Sequence, residues 1–203
     1  MPSDLQITNL RALDGTAGLV IADSTGQVTG TLGSGTVFPA GHVLQVKSTI
    51  VTARNSSTDI DTNGTGADVG LNVTITPKQS GSHFLITCSV GIGTTGGETW
   101  AINLSRDGTK IGNGVDVSVR KGVWFRGVDT AGGGGNDGNH NVGVSKHYLD
   151  TTGSTAGSAI TFKCGLITQN NTAYINRSLS DTDNVLAYGS YTSSNVTVME
   201  IAQ

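Results

Sequence analysis

"HFLITCSVGI", residues 83–92, places Phe84, Ile86, Cys88, Val90 and Ile92 on one side. Successive side chains of a strand point to opposite faces, so this period of two predicts a β-strand with one apolar face. Neighbouring stretches repeat the pattern. "HVLQVKSTIVTA" (42–53) puts Leu44, Val46 and Ile50 on one face. "GLNVTITP" (70–77) alternates Leu71, Val73 and Ile75 against Asn72, Thr74 and Thr76, and Pro77 ends it. "TWAINLSRDGTKIG" (99–112) alternates through Trp100, Ile102 and Leu104 before Asp107-Gly108, a strong hairpin-turn pair.

Further strands are expected in "VSVRKGVWFRGV" (117–128), "HNVGVSKHYLD" (140–150), "SAITFKCGLIT" (158–168), "NTAYINRS" (171–178) and "SNVTVMEIA" (194–202). Helix signals are nearly absent, because glycine interrupts every candidate apolar stripe. Eight or nine strands, each with one apolar face, need a second sheet to cover those faces. The expected fold is all-β, a β-sandwich of jelly-roll-like kind. Aromatic residues are only 5% of the chain, so the core is expected to be mainly Val, Ile and Leu.

Residues 1–36 read differently. "LDGTAGLVIADSTGQVTGTLGSGTV" carries one apolar patch, Leu19–Ile21, between glycine-rich turns. Burying that patch cannot offset the backbone entropy of ordering the segment, at roughly 1 kcal/mol or more per residue. It is expected to be an extended arm that orders against a partner surface, and residues 37–203 to form the sandwich.

Composition narrows the function. The chain has 203 residues, 13% of them charged, and a net charge of −3. Gly, Ser and Thr together exceed a third of it. A basic footprint for nucleic acid is missing, no apolar run has the length of a membrane span, and the first residues lack a signal-peptide layout. Nucleic-acid and membrane partners are therefore not expected. The two cysteines, Cys88 and Cys164, lie in apolar alternating segments; buried free thiols are expected, with a single disulfide as the alternative.

Several stretches spell known motifs. "DIDTNGTGADVG" (59–70) begins like an EF-hand calcium loop, with Asp59, Asp61 and Asn63 at alternate positions and Gly64 at the turn. Such a loop needs a bidentate carboxylate at its twelfth position, where Gly70 stands, and helices on both flanks. A β-loop site could still draw on Asp59, Asp61, Asn63 and Asp68, but a polar connection between strands is the expectation. "GIGTTG" (91–96) matches a dinucleotide fingerprint, with Asp116 beyond it, yet the adjoining "GETWAINLS" alternates like a strand and offers no helix N-terminus. "AGGGGNDGNHN" (131–141) has no aromatic residue to stack a sugar or base. The histidines, His42, His83, His140 and His147, have no metal-ligand spacing, and no nucleophile elbow occurs. No catalytic, cofactor-binding or metal-ligating residue is assigned, and enzyme activity is not expected.

Three stretches carry a family resemblance: "FPAGHVLQVKSTIVTARNSSTDIDT" (38–62), "GLNVTITPKQSGSHFLI" (70–86) and the closing "NVTVMEIAQ" (195–203). "INRS" (175–178) and "GLVIADSTGQVTGTL" (18–32) add to it. The chain resembles a family of virion surface proteins of marine and freshwater phages, including cyanophages, over most of residues 37–203. In that family "STDIDTNGTGADVGL" corresponds to a shorter connection, so the calcium-like stretch reads as an insertion. The resemblance implies a homotrimer serving as a capsid decoration (cement) protein or as the distal part of a tail fibre or tailspike. With no shaft repeat or coiled coil in the chain, the expectation is a decoration protein on the phage head, bound to the major capsid protein, with the arm attaching it to the shell. The alternative is a tail-fibre tip that binds host cell-surface polysaccharide. That tip would show exposed aromatics, and the candidates are Trp100, Trp124, Tyr148, Tyr174, Tyr188 and Tyr191. A depolymerase would need two close carboxylates, which no spacing here announces.

Overall fold

Every strand with one apolar face needs cover for it, and pairing of two sheets supplies most of that cover. The computed structural model describes residues 20–21, 28–29, 39–61, 64–94, 98–128, 141–169, 171–179 and 191–203. The chain divides into two compact units, Met1–Phe38 and Pro39–Gln203. In the first, β1 (Val20–Ile21) pairs antiparallel with β2 (Val28–Thr29). The rest of the expected arm lies outside the described residues.

The second unit contains β3 (Val43–Val51), β4 (Ser56–Ser57), β5 (Asn72–Ile75), β6 (His83–Gly93), β7 (Thr99–Arg106) and β8 (Thr109–Lys110). β9 (Phe125–Val128), β10 (Val142–Asp150), β11 (Ile160–Thr168), β12 (Ala173–Ile175) and β13 (Ser194–Ile201) complete it. One sheet runs β3–β13–β6–β10; β12 continues the line of β13 along β6 and carries β4. The other runs β5–β11–β7, with β8 and β9 sharing the far edge of β7. All pairings are antiparallel, and the chain passes back and forth between the two sheets, as an all-β fold of two packed layers requires.

Inward side chains of both sheets form one core. From β6 come Phe84, Ile86, Cys88, Val90 and Ile92; from β11 come Ile160, Phe162, Cys164 and Leu166. The Phe84 and Phe162 rings meet across the sheets with centroids 5.4 Å apart. Full burial of each such side chain contributes about 1.5–3 kcal/mol. Cys88 and Cys164 are free and buried. A hydrogen bond with Cys88, aided by burial, pushes the Cys164 thiol well above its ordinary range.

Polar ties close the ends. Glu200, fully buried, accepts hydrogen bonds from the backbone N–H of Lys78 (2.8 Å) and Gln79 (3.1 Å), from Ser82 Oγ (2.7 Å) and from Gln45 Nε2 (2.6 Å). Arg106 of β7 pairs with the buried Asp150 of β10 at 2.7 Å, linking the two sheets. Asn176 donates to the carbonyls of Val51 and Ala53 and accepts from Ser194 Oγ at 2.6 Å, where β3 ends and β13 begins.

Two expectations are corrected. Val46 and Ile50 of β3 share a face, but it points away from the core, and Val46 is 53% exposed. β3 lies at the sheet edge, and Val51 is its buried contribution to the core. The strand expected over 117–128 is real only from Phe125 onward. Before it, Val117 and Arg120 exchange backbone hydrogen bonds around Ser118, whose φ of +55° belongs to a tight turn.

Glu200→Ala strands four buried or half-buried donors. It is expected to cost roughly 3 kcal/mol or more, lowering Tm by about 6–12 °C, with Glu200→Gln milder. A thermal melt checks this. Both thiols should resist a thiol reagent in the native protein and react on unfolding.

Candidate functional site

The described residues 59–61 and 64–67 of the calcium-like stretch fold over the outer face of the β5–β11–β7 sheet. Their backbone comes so close that a Cβ on Gly165 of β11 would lie 2.0 Å from the Thr65 carbonyl oxygen. Gly66 faces the same contact and has a φ of +73°, a conformation glycine adopts without strain. Ala67 bonds to Leu166 through its backbone, and Thr168 N–H donates to the Asp59 carbonyl. This cover explains why Ala101, Asn103 and Ser105 are buried although they lie on the side of β7 opposite the core.

The carboxylates of this stretch are committed separately. Asp61 is buried, accepts from Asn103 Nδ2 at 2.8 Å and pairs with Lys110 Nζ at 2.8 Å. Its φ of +71° is left-handed, which Asp tolerates better than most residues. Asp68 accepts from the Gly70 N–H at 2.8 Å and from Asn72 Nδ2. Asn63 lies outside the described residues. Asp61 thus has an ammonium where a cation site would need an ion, and among the described residues no three His, Cys, Asp or Glu side chains converge.

The exposed turn before β9 sits at the edge of this cover. Asp116 Oδ1 accepts from the Gly122 N–H at 2.7 Å, closing the turn. That bond first, then Lys110 and Lys121, holds the Asp116 carboxyl below the usual carboxylate range. The folded turn therefore gains from the ionised form, and this gain is lost as pH falls through the lowered value. A groove of about 640 Å³ runs between this turn, Ile60 and the ends of β7 and β11.

Of the aromatic candidates, Trp100 and Trp124 are core residues. Tyr148 is half-buried against the core, Tyr174 lies under the Arg177 guanidinium at 3.9 Å, and Tyr191 is exposed beside Arg54. Tyr188 and His140 lie outside the described residues. Tyr148 packs on the core, whereas Tyr174 and Tyr191 each carry an arginine. The "GIGTTG" stretch opens inside β6, with Gly91 and Gly93 on the strand. His83 and His147 stand on β6 and β10, and His42 precedes β3.

Another surface feature escaped sequence reading. Val46, Met199, Leu85 and Leu149 are cross-strand neighbours in one row on the outer face of the β3–β13–β6–β10 sheet. Val46 and Leu149 are exposed, and Met199 and Leu85 half-exposed. Each residue looks ordinary in its own strand; only the register aligns them. No known family model matches the chain, and a search of curated proteins returned no match.

Asp61→Ala removes an ion pair and leaves the Asn103 amide and Lys110 without their acceptor. A loss of roughly 2 kcal/mol, about 4–8 °C in Tm, is expected. Millimolar calcium should leave Tm of the native protein unchanged. A calcium-dependent rise lost in Asp59→Ala/Asp61→Ala would reverse that reading.

Proposed function

We propose that the protein is a structural virion component, a capsid decoration protein that assembles as a homotrimer on a phage head and acts by binding rather than catalysis. The observation that carries this reading is the apolar row Val46–Met199–Leu85–Leu149 on the outer face of the first sheet. An isolated sandwich gains nothing by presenting aligned aliphatic side chains to water, whereas a neighbouring subunit gains by covering them. The sequence motifs that resemble phage virion surface proteins support the same reading. In this proposal the major capsid protein is the partner, and residues 1–36 supply the attachment.

Two measurements test it. Light scattering on the purified chain at micromolar concentration should give a trimer. Val46→Lys with Leu149→Lys should release monomers that keep the β circular-dichroism spectrum; a native monomer would contradict the assembly. Deleting residues 2–36 should leave a cooperatively melting β protein that no longer binds decoration-free capsids. Full binding by the truncated chain would move attachment to the sandwich, and binding of the full chain to host cells instead of capsids would favour a tail-fibre tip.

A further inference from the structure

The groove beside the 117–120 turn gathers positively charged side chains. Arg120, Lys121 and Arg126 line it, and among the described residues no carboxylate does. Lys121 has a distant partner in Asp116 at 3.5 Å. Arg120 and Arg126 have no carboxylate within ion-pair distance among the described residues. Three cations gathered on one wall repel one another, in a chain whose net charge is −3. Their arrangement favours an anion.

The same groove has aliphatic rims. Val119, 88% exposed, and Ile60, 60% exposed, stand over it, and Ile167 lies in its wall. Trp100 and Thr168 alternate with Ala101 and Ile167 along their strands, so their side chains turn to the core face of the sheet, away from Arg126. Trp100 is fixed in place: a Cβ on Gly127 would lie 2.4 Å from its ring, so only glycine lets the indole pack on β9. With that ring buried, the groove offers no aromatic face on which a sugar could stack.

We propose that this groove binds an acidic peptide segment of a partner protein, one in which carboxylates stand beside aliphatic side chains. Carboxylates meet Arg120 and Arg126, and aliphatic side chains cover Val119 and Ile60. This goes beyond the structural reading and does not depend on trimer formation.

The test is a titration of the full chain, followed by tryptophan fluorescence and calorimetry, with a synthetic peptide of alternating Glu and Leu. Saturable binding that weakens with added salt is expected. Arg120→Glu with Arg126→Glu should weaken it about tenfold or more, with Tm unchanged, because both side chains are exposed. Val119→Asp, at an open turn position, should weaken it without altering the sheet. Lys47→Glu on β3 of the other sheet should have no effect. Absence of saturable binding, or binding indifferent to the groove substitutions, would overturn the proposal. Tighter binding of polygalacturonate than of the peptide would replace the peptide by an acidic saccharide. Complete competition by inorganic phosphate would reduce the site to a simple anion pocket.

Discussion

The Glu200 carboxylate, buried with no cation beside it among the described residues, is the interaction on which one end of the sandwich depends. Taking a carboxylate out of water costs several kcal/mol unless hydrogen bonds replace its hydration. Here two successive backbone N–H groups, a serine hydroxyl and a glutamine amide do so. These donors come from β3 and from the connection between β5 and β6, while Glu200 itself lies on β13. One side chain therefore fixes where β3, the connection between β5 and β6, and β13 meet. Backbone bonds between His42 and Ala202 and between Gly41 and Ala202 close the same end.

This geometry gives several sequence stretches a physical meaning. "GHVLQV" contributes Gln45, "ITPKQSGS" contributes Lys78, Gln79 and Ser82, and "VMEIA" contributes Glu200. "INRS" contributes Asn176, whose left-handed backbone (φ +65°) and three side-chain bonds tie β12 to the end of β3 and the start of β13. These residues hold the fold together. The surfaces these residues leave free are the outer face of one sheet and the groove on the other.

The two sheets are finished differently on the outside. The β5–β11–β7 sheet is covered by residues 59–61 and 64–67 through a backbone approach at Gly66 and Gly165 and the Asp61–Lys110 pair. Burying Asn103 is helped because that cover brings the Asp61 carboxylate to its amide N–H, while Ser105 Oγ donates to the Lys163 carbonyl of β11. The β3–β13–β6–β10 sheet has no such cover among the described residues, and its outer face carries the aliphatic row. The asymmetry means that a partner would gain most from the first sheet by apolar contact and from the second by charge.

Alternation of two was enough, by itself, to determine the strands at 83–92, 99–106 and 160–168, the Asp107-Gly108 turn, the core residues Phe84, Ile86, Ile102 and Leu104, and the need for two layers. Those properties are local: each follows from which side of one strand a side chain must take. The sequence also determined that the calcium-like stretch lacks its twelfth ligand, since Gly70 has no side chain. Tertiary structure alone decided which face of β3 points outward, because an edge strand obeys its pairing with β13 rather than its own apolar pattern. It alone decided that Asp61 would meet Lys110, 49 residues away, and that Val46, Met199, Leu85 and Leu149 would align. Pairing of distant strands sets these contacts, and a one-residue change of register would place different side chains there.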